Sequence, residues 1–268
     1  MSTLSFLNRQ PVVDNLRNTE PVDRRAFLNL AAAGCIAGAT SLAGSANPAI
    51  SATAASTDSH GRHRIACSLP ASDTRRWAWT IDDGVSSHSI STYVDHALRD
   101  PSIKYTYFVT SMYSSWRQNA KGLRELIGRG QVQLANHTRS HPDLRTLTSH
   151  GIQKQLLDCQ KFLEDEFGSA GSTFWRPPYG YFDSRVLAAA ADAGFTTPVM
   201  WMGTFGTDSG RVPIQTVYSD IKQWVQNGRI VIDHANYPLA ADHFDQVMSI
   251  IKPKGLQMAT LAEAFPDY

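Results

Sequence analysis

Residues 79–87 read WTIDDGVSS, with two adjacent aspartates, Asp82 and Asp83, placed where an apolar run ends in a glycine. Two carboxylates that close resist joint ionisation unless a cation stabilises one of them. The pair therefore directs attention to the ends of the other apolar runs, where further ligands would lie. Those runs are WAWTI (77–81), YTYFV (105–109), VQLAN (132–136), TFWR (173–176), PVMWM (198–202), IVI (230–232) and LQMAT (256–260). Between them the apolar residues recur at helical spacing: Trp116, Ala120, Leu123 and Ile127; Ile152, Leu156, Cys159 and Leu163; Ile214, Val217, Ile221 and Trp224; Phe244, Val247 and Ile251. Strands alternating with helices predict a parallel α/β fold, either an open sheet or a barrel. The polar residues decide between them. Asp82 and Asp83 follow the first strand, His137 the third, Arg176 the fourth and His234 the sixth. An open sheet gathers its ligands at one switch point, whereas a barrel turns the carboxyl end of every strand toward one mouth. The expected fold is a (β/α) barrel of about seven parallel strands.

The rest of the chain sets limits on function. With 268 residues, 42% of them hydrophobic, there is enough apolar material for one large domain. A net charge of +1 and no block of basic residues in the body of the chain exclude nucleic acid or an anionic membrane as the main partner. At the amino end, DRRAFLNLAAAGCIAGATSLAG (23–44) sets Arg24 and Arg25 before a weakly hydrophobic run, in the manner of a bacterial twin-arginine export signal. A small-residue cleavage site stands at Ala52, Thr53 and Ala54, so residues 1–54 are expected to be removed, leaving no stable membrane span. This implies a partner in the twin-arginine export machinery and a periplasmic or secreted location. Residues 55–76 are polar and irregular and read as a linker to a domain over 77–268. A disulfide between Cys67 and Cys159 is open, although the place of Cys159 on a helical stripe favours packing.

NHTRSHPDL (136–144) carries the strongest metal signal. His137 and His141 are spaced so that one helical turn would present both imidazoles to a single ion. With Asp83 the set becomes two nitrogens and one oxygen, suited to zinc or a neighbouring divalent metal such as Co2+. Thr138 stands where a helical zinc protease would carry its glutamate.

TIDDG, HTRSH, RPPYG and IVIDH, in that order, resemble the motifs of the polysaccharide deacetylase family, the NodB-homology or carbohydrate esterase family 4 group, from about Trp77 to Leu261. The resemblance implies a distorted (β/α) barrel and metal-dependent removal of N- or O-acetyl groups from sugars. By position, it makes Asp83, His137 and His141 the metal ligands and Asp82 the catalytic base. Arg176 would orient that base, its fork suited to a bidentate grip. Pro177 and Pro178 would hold an extended loop that aims the backbone N–H of Tyr179 at the developing oxyanion. His234 matches the general acid, a task suited to imidazole. Pro178, Tyr179 and Ile232 would line the acetyl pocket. Asp233 has no role in this scheme and reads as a solvated loop carboxylate.

The sequence departs from the family where an aspartate is commonly followed by tryptophan: Asp208, expected to tune His234, is followed by Ser209. Val85 also replaces a frequent proline. Trp201 and Phe205, available to fill the missing aromatic's place, read as core. Tyr113, Trp116, Tyr181 and Tyr237 are candidates for stacking on sugar rings. Two other readings stay open: a carbohydrate-binding protein on a decayed enzyme barrel, and an amidohydrolase of a small non-sugar amide.

Overall fold

The computed structural model describes residues 56–57, 64–169, 172–207 and 212–267. The expected export signal and Asp208 with Ser209 lie outside the described residues. Seven parallel strands form one curled sheet: β1 (Arg76–Asp83), β2 (Tyr105–Val109), β3 (Val132–Asn136), β4 (Phe174–Trp175), β5 (Thr197–Pro198), β6 (Gly203–Thr204) and β7 (Ile230–His234). Their order is β5-β4-β3-β2-β1-β7-β6. The two edges, β5 and β6, are consecutive in the chain and separated only by residues 199–202. Such a short connection draws the edges together, and the sheet becomes a distorted barrel. A last short strand, β8 (Gln257–Met258), extends the start of β1.

β1 alternates between two cores, as the period of two requires. Trp77, Trp79 and Ile81 join Tyr105, Tyr107 and Val231 beneath the helices α1 (Ser87–Arg99), α2 (Ala120–Gly128), α5 (Ile214–Trp224) and α6 (Phe244–Ile251). Ala78 instead joins Phe108, Ala135, Ile230 and Ile232, together with residues of α3 (Ser149–Phe167) and α4 (Ser184–Asp192). The stripe Ile152, Leu156, Cys159 and Leu163 is wholly buried on α3, which Thr148 caps by accepting from Gly151 N–H and Gly168 ends at φ 64°. Of the stripe begun at Trp116, Trp116, Ala120 and Leu123 are buried and Ile127 partly so, but its helix breaks at Asn119, whose side chain bonds the Ser115 carbonyl. Cys159 is a free, buried thiol, bonded to the Val109 carbonyl and pushed up to about 12 by burial; the Cys67–Cys159 bridge does not form.

The stretch read as a linker is packed at its far end. Ile65, Ala66, Cys67 and Leu69 are buried, Ala66 pairs in parallel with Val199, and Ser68 pairs with Arg229. These residues run along the seam between β5 and the start of β7, covering apolar surface that the short edge strands leave open. The packed body therefore extends back to Arg64. No helix among the described residues is long and apolar enough to cross a membrane.

Candidate metal centre and active site

Strand register brings the polar residues level. Asp82 lies beside His234, and Asp83 beside Val109, which in turn pairs with Asn136; Asn136 pairs with Trp175. His137 and Arg176, each one residue further on, thus emerge at the same rim. Backbone strain collects here as well. Among the described residues, four non-glycine residues have positive φ: Asp83 (72°), Thr138 (71°), His141 (57°) and Tyr179 (62°). Each such conformation costs on the order of 1–3 kcal/mol and persists only where its surroundings enforce it. Gly84, at φ 97°, is required for a second reason: a Cβ there would lie 2.2 Å from the ring of the buried Trp116.

The histidine pair sits on a loop, and the helical turn expected for it is absent. Asn136 takes the Thr138 N–H on its Oδ1, Thr138 Oγ1 accepts from the His141 N–H, and Gln155 of α3 accepts from Arg139 N–H on its carbonyl and from Ser140 N–H on Oε1. This scaffold replaces the helix and achieves the same convergence, with ring centroids 4.9 Å apart. His137 Nδ1 lies 2.8 Å from the Arg176 carbonyl, an acceptor, so Nδ1 carries the proton and Nε2 keeps its lone pair. Nε2 of His137 is 3.5 Å and Nε2 of His141 3.4 Å from Asp83 Oδ1. Ligand atoms about 2.1 Å from a tetrahedral ion stand ~3.4 Å apart, and the set is spaced accordingly. All three candidate ligand atoms lie within 4.8 Å of one another, and Asp83 Oδ1 is buried without a hydrogen bond from the described residues. A divalent cation fits that donor set. Burial would raise the Asp83 carboxyl, but His141, His137, His234 and the hydrogen bond from Asn236 together hold it below the ordinary aspartate range. His141 is pushed down to about 4, chiefly by burial, and so stays neutral and able to ligate.

Asp82 and Arg176 form the buried half of the site. Arg176 is fully buried and points four hydrogen bonds at different groups: Nη1 to Asp82 Oδ1 (2.6 Å) and Thr80 Oγ1 (3.0 Å), Nε to the Val199 carbonyl (2.9 Å), and Nη2 to the Met200 carbonyl (3.4 Å). The expected bidentate grip is replaced by a single contact, because the rest of the fork satisfies carbonyls at the barrel seam. Its guanidinium carbon lies 4.0 Å over the Phe108 ring. Asp82 Oδ2, left free by this pairing, is 3.6 Å from His137 Nε2 and faces the same centre as Asp83.

The remaining predicted residues surround this core. Pro177 is extended, but Pro178–Gly180 forms a tight turn, so the loop is bent sooner than two prolines suggest. Pro178 is buried, whereas Tyr179 is half exposed with its ring edge against His141. Ile232 is fully buried on the same strand face as His234, two residues earlier. His234 ends β7 with its Nδ1 buried and without a partner among the described residues. Trp116 is wholly buried and cannot stack on a sugar, and Trp201 and Phe205 are core. Tyr181 lies beneath the Arg145 guanidinium, Tyr113 packs partly on the core, and Tyr237 is exposed.

Asp233 is not a solvated loop residue: it is fully buried. Trp79 Nε1 and Tyr93 Oη donate to its Oδ2 at 3.2 and 2.8 Å, and Thr207 Oγ1 and the His234 N–H donate to Oδ1 at 2.7 and 2.8 Å. Burial raises its pKa despite these donors. The carboxylate ties the end of β7 to β1, to α1 and to the segment after β6. Alternation along the strand contained the signal, since Asp233 shares the helix-facing side with Val231.

Residues 70–198 match a family model described as polysaccharide deacetylase. Over 182 residues the chain is 33% identical to chitin deacetylase 1 of Cryptococcus neoformans, an alignment covering 68% of this chain but 35% of that protein's length. Among solved structures, a peptidoglycan N-acetylglucosamine deacetylase superposes with a TM-score of 0.65 at 22% identity, covering 76% of this chain and 94% of the other. A CE4 family pseudoenzyme from Bacillus anthracis superposes with a TM-score of 0.63 at 18% identity, covering 75% and 68%. At these identities the two structures share the fold.

Proposed function

The chain belongs to the polysaccharide deacetylase family, and from that premise we propose that it is a metal-dependent hydrolase removing N- or O-acetyl groups from a chitin-like, peptidoglycan or other acetylated polysaccharide. One observation carries the reading: Asp83, His137 and His141 converge on a point that the free oxygen of Asp82 also faces. The three ligands would hold a divalent ion, Zn2+ in the first instance. Such an ion lowers the pKa of a bound water to about 7 and polarises the acetyl carbonyl.

The protein's own groups supply the proton transfers. Asp82, aimed by Arg176, accepts a proton from the attacking water as its oxygen bonds to the carbonyl carbon. The Tyr179 N–H supports the oxygen on which charge develops. His234 delivers a proton to the leaving amine or alkoxide as the carbon–nitrogen or carbon–oxygen bond breaks, giving acetate and the deacetylated sugar. Asp208 is assigned to tune His234. Pro178 and Tyr179 border the acetyl methyl, and Ile232, fully buried in the core, supports that wall from behind. Arg24 and Arg25 support export by the twin-arginine route, which puts the activity in the periplasm or outside the cell.

The test is acetate release by metal-reconstituted protein from acetylated chitooligosaccharides, peptidoglycan and acetylxylan. Release that is abolished by a chelator and restored by Zn2+ or Co2+ is expected. Saturable glycan binding without release would replace the enzyme by a binding protein, as the pseudoenzyme of the same fold suggests. Turnover of small non-sugar amides alone would move the substrate outside carbohydrates.

A further inference from the structure

Asn236 belongs to none of the motifs, yet among the described residues it makes the one hydrogen bond to the carboxylate at the centre of the candidate metal site. Its Nδ2 donates to Asp83 Oδ2 at 2.6 Å. An ionised carboxylate only accepts, so the amide must present its NH2 there. The other carboxylate oxygen, Oδ1, is buried, has no hydrogen-bond partner among the described residues, and is the atom facing His137 and His141. Asn236 therefore divides the two oxygens of Asp83, occupying one and leaving the other bare. Its own placement is fixed by the backbone: Ala235 N–H donates to the Asp82 carbonyl at 3.0 Å, and Ser86 N–H to the Ala235 carbonyl at 2.8 Å. The far end of the amide, Oδ1, is buried and has no hydrogen-bond partner among the described residues. The contact to Asp83 is what this amide does.

We propose that Asn236 is a positioning residue for the metal centre, locking the Asp83 carboxylate so that Oδ1 alone is offered to the ion. The inference rests on the proposed metal site and deepens it. Without the clamp, Asp83 is free to rotate about its side-chain bonds or to turn either oxygen inward, and the ligand set must be ordered when the ion binds. Partners that orient a ligand in this way contribute about 10- to 100-fold in metal affinity.

The experiment measures Zn2+ affinity of the metal-free full chain by competition with a chromogenic chelator, for wild type, Asn236→Ala and Asn236→Leu, with thermal melts of each metal-free protein. Alanine admits a water in place of the amide and leucine excludes it. The expected result is a dissociation constant raised about 10-fold for alanine and up to about 100-fold for leucine, with altered visible absorption of the Co2+ forms. Affinity within about twofold of wild type in Asn236→Ala overturns the proposal, and does so whether or not the melting temperature falls, because a merely structural residue moves only the latter. Absence of zinc binding by wild type overturns it together with the metal site. Tight zinc binding without acetate release, with affinity still lost in the variants, refutes the deacetylase and leaves the role of Asn236 supported.

Discussion

Replacing Arg176 with methionine keeps most of the side chain's volume and removes its charge and all four of its hydrogen bonds. Arg176 is fully buried and its partner Asp82 almost so. Removing one member of such a pair strands the other, which is destabilising by about 3–5 kcal/mol. The Val199 and Met200 carbonyls also lose their contacts at the seam, worth about 1 kcal/mol each. A total of about 5–7 kcal/mol corresponds to a fall of roughly 10–28 °C in Tm for a domain of this size. The assay is urea and thermal unfolding of wild type, Arg176→Met, Asp82→Asn and the double variant. If the buried charge left on Asp82 causes most of the loss, the double variant is more stable than Arg176→Met by about 2 kcal/mol or more. An Arg176→Met protein within about 1 kcal/mol of wild type, or a double variant no better than the single, refutes the reasoning.

Four further outcomes follow from the same geometry. His137→Ala or His141→Ala removes a ligand atom and is expected to weaken Zn2+ binding by more than the roughly 100-fold of an orienting partner; calorimetric titration showing unchanged stoichiometry and affinity contradicts this. In the metal-free protein, His141 is held near 4 against about 6.5 in the unfolded chain. The unfolded state therefore binds this proton more tightly, so the stability contribution is complete above about pH 6.5 and is lost as pH falls toward 4, on the order of 3 kcal/mol in all. His141→Gln is expected to unfold with a shallower pH dependence across that window, and identical slopes would count against it. Asp233→Leu strands three buried donors, Trp79 Nε1, Tyr93 Oη and Thr207 Oγ1, while the part-buried His234 N–H keeps Thr207 Oγ1 as an acceptor, and Asp233→Asn turns an NH2 toward some of them; losses of several and of about 1–3 kcal/mol are expected in urea, and a neutral Asp233→Leu is the contrary result. Gly84→Ala forces a Cβ onto Trp116 at positive φ and is expected to lose about 3 kcal/mol or more, read by melting and Trp fluorescence.

Much of this site was legible because its residues directly follow apolar runs. Once β1, β3, β4 and β7 are placed in register, Asp82, Asp83, His137, Arg176 and His234 have few other places to be. What escaped depends on distant partners. The HTRSH loop reads as a helical turn until Asn136 and Gln155 are seen to hold its N–H groups. Arg176 reads as a fork for one carboxylate, and nothing local reveals that the barrel seam supplies carbonyls for the rest of it. Asp233 reads as solvated because a lone carboxylate near a strand end usually is, although the side of β7 it occupies faces Trp79 and Tyr93. Ile65, Ala66 and Leu69 were hidden in a polar stretch whose apolar positions matter only once β5 and β6 leave a seam to cover.

The most direct test of the proposed chemistry is the rate of acetate release by Asp82→Asn loaded with one equivalent of Zn2+. Asparagine is close in shape to aspartate and leaves Asp83, His137 and His141 in place, so the ion is retained while the base is gone. A fall of about 10²- to 10⁴-fold with zinc still bound is predicted. Acetate release at the wild-type rate from that zinc-loaded variant contradicts it.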